Sequence, residues 1–158
     1  MKLTETAGQE PPKNEFSRVV SMSKVFSNQG TVHFSGTPEE CSDLAKRFDL
    51  ASIKNLDVTF YIHVGRTHKG GFFVTGTLAS SVVQRCIVTL KDVPETIAES
   101  FELHVLDERY NTEQSLEDLG DDDVEFMIKD EVDLGEVAAQ YLSLSLNPYP
   151  RYVEETSS

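Results

Sequence analysis

Positive charge, cysteine and uninterrupted apolar sequence are what this chain has least of. Of its 158 residues only 14 are Lys or Arg against 27 Asp or Glu, a formal net charge of −13. Non-specific affinity for a phosphate backbone comes from basic residues displacing counterions, so extensive direct binding of RNA or DNA is disfavoured and a basic protein partner is favoured. The two cysteines, Cys41 and Cys86, lie far apart with no CxxC motif and no clustered histidines. Neither a disulfide framework nor a tetrahedral zinc site is therefore expected, and a reducing compartment is the natural setting. No apolar run approaches the roughly 18 residues that a membrane span needs, and residues 1–13 are polar with Pro11 and Pro12. The expectation is a soluble, cytoplasmic chain with no membrane attachment. A glycine-rich phosphate loop, a nucleophile elbow and a recognisable carboxylate pair are also missing. The chain thus reads as a non-enzyme, with no catalytic residue, cofactor, metal or small-molecule substrate.

The charge that is present is unevenly spread. Residues 107–133 hold twelve acids against Arg109 and Lys129, a net of −10, which leaves only −3 for the rest of the chain. Within this stretch Asp121, Asp122 and Asp123 invite a calcium reading, yet the spaced ligands, central glycine and closing glutamate of an EF-hand are absent. With no repeating apolar face, 107–123 is expected to be a mobile acidic loop whose carboxylates meet a partner.

Along the chain the hydrophobic period changes several times. Residues 16–22 alternate weakly as a first strand, and Asn28, Gln29 and Gly30 mark a turn before a second at 31–35. Thr37, Pro38 and Glu40 supply a capping hydroxyl, a proline at the first position and a returning carboxylate. Cys41, Leu44, Ala45 and Phe48 then follow at helical spacing, which predicts a helix over about 37–48 with Cys41 on its buried stripe. From Ile53 the period is two, with Leu56, Val58, Phe60, Ile62 and Val64 on one face and Asp57, Thr59, Tyr61 and His63 on the other. Residues 65–71 form a flexible hairpin tip whose Arg66, His68 and Lys69 are the candidate contact to RNA phosphate.

Extended pattern resumes at 72–78, and Ala79, Ser80 and Ser81 read as a polar bridge into the run 82–90. That run is β-branched at five of nine positions, and Gln84, Arg85 and Cys86 interrupt its apolar pattern. A half-buried strand through Ile97, Phe101, Leu103 and Val105 and a short one at 124–128 complete an antiparallel meander, with closure into a barrel left open. Asp133 caps a second helix, about 133–146, whose Leu134, Val137, Ala138, Tyr141, Leu142 and Ser145 share a face and which stops before Pro148. The segment that follows, from Asn147 through Pro148, Tyr149, Pro150 and Arg151 to Tyr152, is stiff and extended, so little chain entropy is lost when it docks. The fold expected is α+β: one domain over 15–152, a mostly antiparallel sheet, two packed helices, and disordered tails at 1–14 and 153–158.

Three stretches carry a resemblance. They are Phe16, Ser17, Arg18, Val19 and Val20; then Gln84, Arg85 and Cys86 on to Leu90; then Ile128 through Leu134, Gly135 and Glu136 to Asn147, Pro148, Tyr149, Pro150 and Arg151. Together they resemble the alphaproteobacterial branch of the YceD-like large ribosomal RNA subunit accumulation proteins, over about 16–151. The resemblance implies a non-enzymatic bacterial factor in large-subunit ribosomal RNA accumulation and ribosome biogenesis. Other branches carry paired cysteines near the position of Cys86 that suggest a metal, and here that partner is missing. On this reading Asp121, Asp122 and Asp123 meet a basic assembly partner such as a ribosomal protein. Gln84, Arg85, Pro148, Tyr149, Pro150 and Arg151 form a second partner-binding surface, and Cys86 serves mainly in packing. The competing reading is a thiol-dependent enzyme or redox protein using Cys86.

Overall fold

The computed structural model describes residues 15–63 and 71–152. The tails at 1–14 and 153–158 and the tip carrying Arg66, His68 and Lys69 lie outside the described residues. The architecture is α+β. Five strands form one open sheet in the order β2 (Thr31–Ser35), β3 (Ser52–His63), β4 (Phe72–Arg85), β5 (Asp92–Asp107) and β6 (Val124–Met127). The first three pairings are antiparallel, so the meander expected from the sequence is present. The fourth is not: β6 runs parallel to β5. Among the described residues the sheet does not close into a barrel, since β2 and β6 are its two edges. A separate antiparallel pair joins β1 (Val19–Ser21) to β7 (Glu131–Asp133).

Four expected elements take a different form. The strand expected at 16–22 is only the three-residue β1, because Ser21 caps a helix, α1 (Met22–Ser27), by accepting the Lys24 N–H. Asp130 fixes that start, accepting from the Ser21 and Ser23 hydroxyls at 2.5 and 2.9 Å. The bridge at 79–81 does not exist: β4 runs unbroken to Arg85, and Ser80 is buried within it, donating to the Asn55 carbonyl at 2.6 Å. The run 82–90 is correspondingly not one strand, since it ends at Arg85 and turns through 86–91 with Leu90 at φ 64°. Nor is 107–123 a plain loop. Asp107 caps a single 3-10 turn (Glu108–Tyr110), and Thr112 caps α3 (Glu113–Leu119), closed by Gly120.

The two helices expected from the sequence are α2 (Pro38–Arg47), with both bonds of its capping box in place, and α4 (Leu134–Ser145), capped by Asp133. Their apolar faces cover one side of the sheet, where Leu44, Leu56, Phe60, Val74, Leu78, Val105, Leu134 and Leu142 are at most 2% exposed. Gly76 lets this core close. Its cross-strand partner is Phe101, whose ring occupies the space a Cβ would need, and Tyr141 of α4 stacks on the other side of that ring at 4.0 Å. Cys41 is buried on α2, in contact range of Gly36, and burial pushes its thiol up. On the opposite side the sheet presents small polar residues (Thr59, Thr77, Ser100) for most of its length, the usual arrangement for an antiparallel sheet with one wet face.

Candidate functional site

The partner-binding residues singled out in the sequence fall on two surfaces, at opposite ends of β5. Twelve strand positions separate Asp92 from His104, a span of roughly 40 Å at about 3.3 Å per residue. The structure therefore does not bring Gln84, Arg85 and the 147–151 segment together with Asp121, Asp122 and Asp123.

At the first end, Gln84 acts as a clamp on the C-terminal segment. Its amide donates to the Asn147 carbonyl and to a Glu95 carboxylate oxygen, both at 2.9 Å. Glu95, on the neighbouring strand, also accepts the Asn147 N–H at 3.1 Å. Asn147 turns the chain by accepting the Tyr149 N–H at 2.9 Å, an Asx turn that Pro148 helps to fix. The Pro150 carbonyl then accepts the Ile87 N–H at 3.1 Å, so Pro150 is buried while Tyr149 stays 70% exposed. Arg85 projects from the end of β4 and is exposed, forming no side-chain ion pair or hydrogen bond among the described residues. Between the strap and the end of α2 lies an open groove of about 620 Å³, bordered by Leu50, Arg85, Ile87, Leu90 and Pro148. Gln84 and Arg85 thus divide their work: one ties the segment down, the other faces outward.

Cys86 lies beneath this turn. It is buried, at 2% exposure. Its sulfur accepts the Val88 and Thr89 N–H groups, each at 3.4 Å. The Thr89 hydroxyl, followed by the N–H groups of Tyr152, Thr89 and Val88, pulls the thiol down to about 6. Those donors favour the thiolate, whereas burial alone would disfavour it. Cys86 is both packed and a hydrogen-bond acceptor, holding the Val88 and Thr89 N–H groups of the turn.

At the other end the three aspartates have different surroundings. Asp121 is exposed and unpaired among the described residues. Asp122 meets His104 at 3.1 Å, with His104 itself 7% exposed. Asp123 accepts the Tyr141 hydroxyl at 2.6 Å, and burial together with this carboxylate pushes the Tyr141 phenol up. Two of the three thus also fasten the acidic segment to the body. Glu125 follows on β6, where burial holds its carboxyl above the ordinary carboxylate range. Among the described residues, no group of three or more His, Cys, Asp or Glu is placed to hold a metal ion.

A third set of contacts explains the Asp-Leu-Gly-Glu motif. Asp133 caps α4 by accepting from Gly135 and Glu136, and it also accepts the Arg18 N–H at 2.7 Å and the Ser17 hydroxyl at 2.8 Å. Gly135 permits the close crossing of this segment, because a Cβ there would lie 2.5 Å from the Phe16 carbonyl oxygen. Glu136 receives Arg47 of α2 through two bonds at 2.8 and 2.9 Å. The motif is a structural clamp that joins α4 to the N-terminal segment and to α2.

Sequence reasoning missed Glu95, which no local signal distinguishes from other strand glutamates. It also missed the pairing of Tyr141 with Asp123, although a tyrosine on a buried helix face needs a partner for its hydroxyl, and that was the available clue. No helix among the described residues is long and apolar enough to cross a membrane. No curated protein and no solved structure matches the chain significantly. A family model does match residues 74–157, more than half of the chain and a region that contains both candidate surfaces. By that match the chain belongs to the family described as large ribosomal RNA subunit accumulation protein YceD.

Proposed function

We propose that the chain is a non-enzymatic binding factor of the bacterial cytoplasm that supports accumulation of large-subunit ribosomal RNA during ribosome assembly, through contact with a basic assembly protein. The observation that carries this reading is the family match over 74–157. The charge distribution supports a protein contact over an RNA contact. With −10 concentrated between 107 and 133, the acidic end repels phosphate and attracts a lysine- and arginine-rich surface. The other end, with exposed Arg85 on an open groove and exposed Tyr149 and Arg151 on the segment beside it, serves as the second contact.

The test replaces Asp121, Asp122 and Asp123 with Asn and follows co-purification with pre-ribosomal particles. Asn retains a carbonyl oxygen for the Tyr141 hydroxyl, so the fold is spared while the charge is removed. The expected result is a salt-sensitive association that the substitution weakens at least several-fold; unchanged association rejects the electrostatic contact.

A further inference from the structure

Among the described residues, the acidic end of the sheet has a free edge: β6 pairs only with β5, and the His104 N–H donates to the Asp123 carbonyl at 2.9 Å. In a parallel ladder that alternates from this bond, the N–H groups of Val124 and Phe126 point away from β5. The Phe126 N–H meets no strand there among the described residues; it donates to a Glu125 carboxylate oxygen at 3.3 Å, a local stand-in for a neighbouring strand. Unpaired edges of this kind are templates for an added strand unless something blocks them.

Alongside this edge runs α4, and the space between them is hollow. One hollow of about 160 Å³ is lined on its apolar side by Leu103, Val124, Val137 and Leu144, and it adjoins a second of about 220 Å³ next to Phe126 and Ile128. The two share Glu125 and Gln140, so they form one groove parallel to β6. Its apolar ends are uncovered: Leu144 is 80% exposed and Ile128 60% exposed. Its borders are acidic, with Asp123, Glu125, Glu131 and Glu136 along the length. Glu136 is neutralised by Arg47, and the others have no basic partner among the described residues.

We propose that this groove binds an extended basic segment of a partner protein as a sixth strand on β6, with alternate Lys or Arg side chains in the hollow toward Asp123, Glu125 and Glu131 and the intervening apolar side chains on the opposite face of the sheet, beside Val124 and Phe126. The alternation follows from strand geometry, which sends successive side chains to opposite faces. The backbone supplies affinity through the Val124 and Phe126 positions, and the carboxylates select the charge. Glu125 releases the Phe126 N–H and turns to the incoming cation. This inference rests on the reading above that the acidic segment faces a basic assembly protein.

The test uses the full chain and a synthetic peptide alternating lysine and valine, with a glutamate–valine peptide as control. Amide shifts are followed by NMR and affinity by fluorescence anisotropy. The expected result is binding of the lysine peptide alone, with the largest shifts at Val124 and Phe126. Leu144→Lys, a change at an exposed site that spares the core, should weaken binding about tenfold. Absence of binding, equal binding of the glutamate peptide, or shifts centred on the β2 edge or the 86–91 turn overturns the proposal. Particle association separates this failure from that of the underlying reading. If the 121–123 Asn variant loses the particles while Leu144→Lys keeps them, the groove is wrong and the electrostatic contact stands; if both keep them, the electrostatic contact is wrong too. Association that is abolished by ribonuclease, with no peptide binding, makes RNA the occupant and overturns the strand addition.

Discussion

Three residues show how single side chains hold this fold in place. Glu40 returns the capping bond of α2 and receives Arg18 at 2.6 and 2.8 Å, and Arg18 together with the cap holds its carboxyl down at about 2. A carboxyl depressed in the folded state stabilises above its ordinary value of about 4.5 and loses that contribution as pH falls toward 2. The pair is partly solvated, so its worth is set at about 1 kcal/mol. Arg18→Gln should accordingly lower the urea midpoint at neutral pH and flatten its fall between about pH 5 and 2. Gly135→Ala forces a methyl group onto the Phe16 carbonyl and should cost about 1–3 kcal/mol by denaturant unfolding, as overpacking does. Cys86, pulled down to about 6, should show thiolate absorbance developing around that pH, with Thr89→Ala moving it upward. Because its folded value is depressed, its bonds to Tyr152 and Thr89 are strongest above the ordinary thiol range and weaken as pH falls through about 6.

The C-terminal strap is the element whose hold depends on few bonds. Glu95→Ala removes acceptors for both Gln84 and Asn147, so amide exchange at Ile87 and Tyr149 should quicken several-fold while exchange in β3 stays unchanged. Labelling of Cys86 by a thiol reagent should quicken in the same variant. The elements most legible in the sequence were those with strictly local rules. Thr37, Pro38 and Glu40 start α2, and Leu56, Val58, Phe60 and Ile62 set the buried face of β3. The misread elements depended on distant partners. Ser80 looks like a linker residue until Asn55 gives its hydroxyl a buried acceptor, and the β-branched run after Arg85 bends because Cys86 and the strap capture its N–H groups. The parallel direction of β6 follows from an excursion through α3, a helix of seven residues with a weak apolar face. At the site, the Gln84 interruption was visible as an anomaly. Its partner Glu95 was not, since pairing across β4 and β5 is fixed by register and not by local composition.

At the scale of the whole molecule, one sheet separates two surfaces of different character. The 16-residue β5 has Arg85 of β4 and the strap beside one end and the acidic edge beside the other, so both can be occupied at once. On the proposed function, damage at one end should leave the other competent. Arg85→Glu should leave salt-sensitive particle association in place, whereas the 121–123 Asn variant should weaken it at least several-fold without lowering thermal stability by more than a few degrees. The most direct test is complementation: cells depleted of the protein are supplied with wild type or with the Asn variant, and the ratio of large- to small-subunit ribosomal RNA is measured across a sucrose gradient. A deficit of large-subunit RNA that wild type restores and the Asn variant does not is the predicted result. Full restoration by the Asn variant, or a normal ratio in depleted cells, would contradict it.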